Sequence, residues 1–283
     1  MIKLSRKLAF FTLLIGFASI LIACGDSGST PTIPPTTVNP IPTRVIVPTP
    51  TPAPEHIVVI DPGHGGDDWG AFHSNASDQP DLLEKDITLQ LGLKTAELLQ
   101  DSSIQVFLTR TKDTLANDPP ADLNGDGKID ENDDLLARIK FANAKKADLF
   151  FSIHVNSSDL GNDAYGLETL YCADRPFANQ SKAFAALVQK QSIDSLKAFG
   201  YTAQDRQVMD DIEKYGADQH LFVLGPTGTE RPFVTEMPGA LTEALFITND
   251  EEASVLRNPK AIAALAGGYA TAIQEYFKQA KDS

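Results

Sequence analysis

The sequence predicts a single α/β domain over residues 55–283, with a mixed, largely parallel sheet flanked by helices on both faces. Three observations carry that reading. Short apolar, β-branched runs alternate with longer segments of helical period. The stretch is long enough for one such domain with a full core. The whole chain holds only two cysteines, Cys24 and Cys172, so the fold must stand without an intrachain disulfide framework.

The elements follow in order. Ile57–Ile60 reads as a buried strand that stops at Asp61, where Pro62-Gly63 forces a turn. Glu84 opens a helix running to about Leu99, with Ile87, Leu91, Leu98 and Leu99 near one face. A strand at Ile104–Thr109, a helix from Asp134 to Lys145 and a strand at Leu149–Ile153 come next. Leu167–Tyr171 is a strand with Cys172 at its end, a packed thiol rather than a nucleophile. Ala178–Ala198 is a long helix in which Phe184, Leu187, Val188, Gln191 and Ser195 recur at helical spacing. Ala203–Thr235 is polar and less regular. Within it Gln204–Gly216 predicts a short amphipathic helix, read either as an ordinary wall or as a plug over the site. Ala240–Ile247 is a strand, Glu251–Arg257 a short helix, and Asn258-Pro259 marks the boundary before a last helix, Ala261–Lys278. No internal repeat interrupts this series.

Residues 1–24 are read as a targeting segment, with an uncleaved membrane anchor as the alternative because the apolar run is nearly as long as a marginal span. Lys3, Arg6 and Lys7 precede an apolar stretch, Leu8–Ile22, which runs into Leu21-Ile22-Ala23-Cys24. That ending resembles the lipobox of bacterial lipoprotein signal peptides. The resemblance implies that Cys24 becomes an acylated N-terminus, anchoring an extracytoplasmic protein to the membrane. Residues 25–54, rich in Pro, Thr and Ser, read as an extended tether, since such composition favours polyproline II. The chain carries 38 acidic and 24 basic residues, a net charge of −14. Loss of the signal segment, with three basic and no acidic residues, takes this to about −17. This argues against a nucleic-acid partner, which needs a basic footprint. No protein activator is legible.

Four residues fall where chemistry is built in α/β sheets. His64 follows the first strand and His154 ends the strand Leu149–Ile153, both at the edge where such sheets bind ligands. Glu84 begins a helix after an irregular loop, and Glu243 interrupts an apolar strand. Each has a bland reading alone: an acid favoured at a helix N-terminus for Glu84, an outward-facing strand residue for Glu243. Together, two His and two Glu are what a hydrolytic zinc site needs, with three ligands leaving a position for water and a carboxylate to take its proton. There is no HExxH helix, which excludes that peptidase type.

The residues around these four resemble the zinc-dependent N-acetylmuramoyl-L-alanine amidases of the type-3 amidase family. The matching segments are Val59–Gly66 with Asp68 and Gly70-Ala71, Glu84-Lys85-Asp86, Leu108-Thr109-Arg110, Ala142-Asn143 and Ala147-Asp148. They continue with Ser152–Ser157, Gly166–Thr169, Pro238–Glu243, Phe246–Asn249 and Glu252. The resemblance implies that His64, Glu84 and His154 bind zinc (Zn2+) and that Glu243 is the catalytic carboxylate. It also implies peptidoglycan as substrate, cut at the amide between N-acetylmuramic acid and the first L-alanine of the stem peptide. Two departures stand out: Glu243-Ala244-Leu245-Phe246 where the family often has Glu-Leu-Gly-Phe, and the longer Ala203–Thr235 stretch. Asn156 is open to a role in holding substrate or orienting His154, and Arg110 to a buried ion pair or a stem carboxylate; structural roles are favoured for both. Competing readings are a zinc peptidase or deacetylase acting on wall substrates, and a non-catalytic wall-binding lipoprotein.

Residues 122–133, Asp-Leu-Asn-Gly-Asp-Gly-Lys-Ile-Asp-Glu-Asn-Asp, resemble the twelve-residue calcium loop of EF-hands and of dockerin modules. Asp122, Asn124, Asp126, the Lys128 carbonyl, Asp130 and Asp133 would supply the oxygens for Ca2+. Ile129 is expected to pack inward. The loop lies far in sequence from the zinc ligands, so a stabilising role is expected.

Overall fold

The computed structural model describes residues 54–100, 102–216 and 219–281. The expected targeting segment, Cys24 and nearly all of the expected tether lie outside the described residues. Among the described residues no helix is long and apolar enough to cross a membrane.

Six strands form one sheet: β1 (His56–Pro62), β4 (Ile104–Leu108), β5 (Leu149–Asn156), β6 (Leu167–Tyr171), β7 (Asp205–Asp210) and β8 (Gly239–Phe246). Their order is β4-β1-β5-β8-β6-β7. The first four run parallel; β6 is antiparallel to β8 and parallel to β7, giving the mixed, largely parallel sheet that the alternation predicts. A separate hairpin of β2 (Phe72–Ser74) and β3 (Pro80–Leu83) leads into α1 (Glu84–Leu98).

Side-chain alternation along the strands sorts the core into two layers. Val58, Ile60, Phe151 and Ile153 face α1, α3 (Ala178–Phe199) and α6 (Pro259–Lys281), whose Leu91, Phe184 and Tyr269 join the same cluster. Phe151 meets Phe184 and Tyr269 edge-on, with ring centroids 5.5 and 5.1 Å apart. Val59, Phe150 and Leu241 face α2 (Glu131–Lys145) and the apolar part of the excursion after β7, through Leu136, Ile139, Val223 and Met237. Helices thus cover both faces. Two further helices are short: α4 (Asp211–Tyr215) and α5 (Asp250–Leu256).

Three expectations need correction. The helix read over Gln204–Gly216 is instead a strand followed by one helical turn, β7 then α4. Its first half finds a vacant sheet edge beside β6, and pairing with that edge satisfies backbone that a five-residue α4 cannot. The helix expected from Asp134 begins at Glu131, because Asp130 caps it: its carboxylate accepts from Asn132 N, and Asp133 reaches back to Asp130 N at 3.0 Å. Ile129 does not pack inward but is 58% exposed.

Candidate metal centre and active site

The turn after β1 is built to present His64. Its φ is +63°, a left-handed conformation that non-glycine residues seldom hold without reinforcement. The reinforcement comes from Arg138 on α2, which is fully buried. It donates to Asp61 Oδ1, Pro62 O and His64 O, each at 2.8 Å, and to Asp134 Oδ2. Asp61 also accepts from Thr109 and Ser152, at 2.6 and 2.8 Å. Burial works to raise its pKa, but Arg138 and the two hydroxyls outweigh burial and hold it below the ordinary aspartate range. From the other side Arg110 donates to Pro62 O, Gly63 O and Lys85 O. It is buried against carbonyls, and among the described residues it forms no carboxylate ion pair.

Two glycines let His64, Glu84 and His154 close together. A Cβ on Gly63 would stand 2.3 Å from Cε1 of His154, and one on Gly70 would stand 2.5 Å from Glu84 Oε2 and 2.6 Å from His64 Cδ2. What crowds the turn at Gly63 is thus the second histidine.

The three predicted ligands meet. His64 Nε2, Glu84 Oε1 and His154 Nδ1 form a triangle with every edge 3.1 Å. The edges of a tetrahedron with bonds of ~2.0–2.1 Å are roughly 3.3–3.4 Å, so this donor set fits zinc in both chemistry and spacing. Glu84 is buried at the start of α1, and its carboxylate is fixed by Ala71 N on Oε2 at 2.7 Å and Val155 N on Oε1 at 3.1 Å. The other nitrogen of His64 meets Asp68 Oδ2 at 2.7 Å, the carboxylate–histidine arrangement that sets tautomer and ring orientation.

Glu243 sits in register with His154, and a bulge follows immediately: His154 pairs with Glu243 but Asn156 with Phe246, and Leu245 has φ +65°. Among the described residues nothing hydrogen-bonds to the Glu243 carboxyl. Burial pushes its pKa up to about 7; the Glu84 and Glu168 charges add to the rise, against the opposing His154 and Lys214. Glu168, opposite Glu243 on β6, is buried and takes Asn156 Nδ2 at 2.8 Å, Arg206 Nε at 3.1 Å and Lys214 Nζ. Burial acts against that carboxylate, yet Lys214, Arg206 and Asn156 together keep its pKa low. Asn156 therefore meets Glu168 and not His154; of the two histidines expected to bind metal, His64 has Asp68 as its hydrogen-bond partner. An i,i+4 His–Asp spacing within a glycine-rich turn was the available signal for Asp68; Glu168 lies in the matching Gly166–Thr169 segment but had no role assigned there, and nothing local marks Lys214.

A cavity of about 560 Å³ opens beside His64 and His154, with Leu241, Phe222, Ile129 and Asp130 in its walls. The loop 122–133, remote in sequence, thus borders the same cavity as two of the proposed ligands. Within it Asp122 accepts from Gly125 N and Gly127 N, and Asp133 from Leu123 N and Asn124 N. Among the described residues, two groups of three bring His, Cys, Asp or Glu ligand atoms within 4.8 Å of one another: His64, Glu84 and His154, and Cys172, Asp211 and His220. The loop belongs to neither.

With this geometry in place, the comparisons decide the family. The profile of the N-acetylmuramoyl-L-alanine amidases matches residues 58–275. The chain belongs to the N-acetylmuramoyl-L-alanine amidase family. Among its relatives, the germination-specific N-acetylmuramoyl-L-alanine amidase of Bacillus subtilis is 30% identical over 80% of this chain and 81% of its own length. The amidase AmiA of Salmonella typhimurium is 27% identical over 79% of this chain and 76% of its own. The crystal structure of an N-acetylmuramoyl-L-alanine amidase from Clostridium difficile superposes with a TM-score of 0.58 at 29% identity, covering 80% of this chain and 98% of that one. Both the α/β fold and the family assignment expected from the sequence are borne out.

Proposed function

We propose that the chain is a zinc-dependent peptidoglycan amidase cutting between N-acetylmuramic acid and the stem L-alanine. The single observation that carries this is the 3.1 Å triangle of His64, Glu84 and His154, with Glu243, hydrogen-bonded by none of the described residues, in register beside it. It sits in a family many of whose named relatives are N-acetylmuramoyl-L-alanine amidases. His64, Glu84 and His154 would hold the metal and Asp68 would orient His64. Zinc, when bound, supplies a Lewis acid for the scissile carbonyl and acidifies a water. Glu243 would take a proton from the attacking water as its oxygen adds to the lactyl carbonyl carbon. As the C–N bond breaks, Glu243 delivers the proton to the departing alanine amine. A carboxyl whose pKa is lifted toward neutrality suits both halves of that transfer. Arg138 and Arg110 keep the His64 turn in its strained form.

The remaining features extend this reading. The basic and apolar N-terminal pattern ending in Ala23-Cys24 supports a lipid anchor at Cys24, and residues 25–54 a tether, placing the domain outside the cytoplasm against the wall. Residues 122–133 support a Ca2+ site through Asp122, Asn124, Asp126, the Lys128 carbonyl, Asp130 and Asp133.

The test is a Glu243→Gln variant assayed for both metal and turnover. It keeps its bound zinc, while hydrolysis falls by about 10²-fold or more, since only the proton acceptor is changed. Chelation abolishes wild-type activity and zinc restores it. Wild-type turnover in Glu243→Gln would remove Glu243 from the mechanism.

A further inference from the structure

A second convergence of ligand atoms lies away from the triangle, at the outer end of the sheet. Cys172 directly follows β6 and is buried; Asp211 opens α4 and is wholly buried; His220 lies in the excursion beyond α4. Cys172 Sγ is 3.5 Å from His220 Nδ1, and that nitrogen is 3.2 and 3.3 Å from the two Asp211 oxygens. The far nitrogen of His220 faces the exposed Asp174 carboxylate at 3.6 Å.

Asp211 presents the problem. Besides His220, its carboxylate has the Leu221 amide at 3.0 Å, the Cys172 thiol and the neighbouring Asp210 carboxyl, and no Lys or Arg among the described residues forms an ion pair with it. A fully buried carboxylate pointed at a thiol is costly unless a cation, a protonated His220 or a metal ion held by His220, shares the space. A catalytic Cys–His pair explains the arrangement less well. The thiol is closed off from substrate, and a buried carboxylate beside the same imidazole nitrogen would oppose thiolate formation. Three different donors converging on one point, with the opposite ring nitrogen held toward an acid, repeat what His64, Glu84, His154 and Asp68 do at the first site.

We propose that Cys172, Asp211 and His220 form a second metal site, for a zinc-class divalent ion. Thiolate, imidazole and carboxylate together favour such an ion over calcium or magnesium, which take oxygen ligands. Binding releases the thiol proton to solvent, and the thiolate and carboxylate then balance the ion's two charges. The role is structural: the ion clips the end of β6 to α4 and to the segment that follows. Both are walls of the catalytic region, since Lys214 of α4 pairs with Glu168 and Leu221–Val223 line the cavity beside His64. The site stands whether or not the first one hydrolyses peptidoglycan.

Cobalt distinguishes the two sites without any activity assay, because only the second contains sulfur. The full chain loaded with Co2+ shows a near-ultraviolet sulfur-to-cobalt charge-transfer band and binds two ions. His154→Ala keeps the band while losing one ion. Cys172→Ser loses the band, and Cys24→Ala retains it, which assigns the sulfur even if Cys172→Ser folds poorly, as the chain has only these two cysteines. A wild-type chain without the band, or a band that disappears in Cys24→Ala, overturns the site.

Discussion

At the residue scale, the proposed zinc site depends on side chains that hold the ligands as much as on the ligands. Asp68 Oδ2, 2.7 Å from His64 Nδ1, fixes which nitrogen is free to coordinate. Asp68→Asn should lower zinc affinity by roughly 10- to 100-fold with little loss of fold, a difference read by metal titration. Unchanged affinity would remove Asp68 from that role. The buried Asp61–Arg138–Asp134 group makes a stability prediction. Arg138→Met leaves two buried carboxylates unpaired and should cost about 3–5 kcal/mol at neutral pH, measured by denaturant unfolding. Because the folded pKa of Asp61 lies below its unfolded value, its contribution is present above the ordinary aspartate pKa and is lost as pH falls through the depressed one. Wild-type melting temperature should therefore drop below about pH 4, with a shallower drop in Asp61→Asn. His64, Glu84, His154 and Glu243 were legible in the sequence because their motifs are local. Glu168, Lys214 and His220 were not, since each acquires meaning only from a partner 9 to 48 residues away.

At the element scale, the buried strands and long helices announced themselves through periodicity, and their bounds differ from expectation mainly at capped or frayed ends. The misses share a cause. The β2–β3 hairpin and β7 are short and mostly polar on their exposed faces, so pairing with a neighbour, not their own pattern, makes them strands. The Asp-rich loop 122–133 shows the same competition: its carboxylates already serve backbone amides, and Asp130 and Asp133 cap α2. If the loop also takes Ca2+, the native domain gains melting temperature with rising calcium concentration, and Asp122→Ala/Asp126→Ala abolishes the gain. Absence of both a thermal shift and a heat of binding in the native protein would remove the calcium site.

At the scale of the whole molecule, the sheet order explains why these residues meet. β1, β5 and β8 are parallel neighbours, so their C-terminal ends bring His64, His154 and Glu243 to one edge, while α1 delivers Glu84 from the side. The antiparallel β6 then places Glu168 opposite Glu243. The sequence announced the first arrangement through its alternation; the second depends on a reversal of strand direction that no local pattern encodes. The measurement that bears most directly on the central claim is digestion of purified peptidoglycan by the zinc-loaded chain, with the products identified by mass spectrometry. Intact stem peptides bearing a free N-terminal L-alanine, together with glycan strands stripped of peptide, are the predicted products. Shortened stem peptides, deacetylated glycan or an undigested sacculus would contradict it.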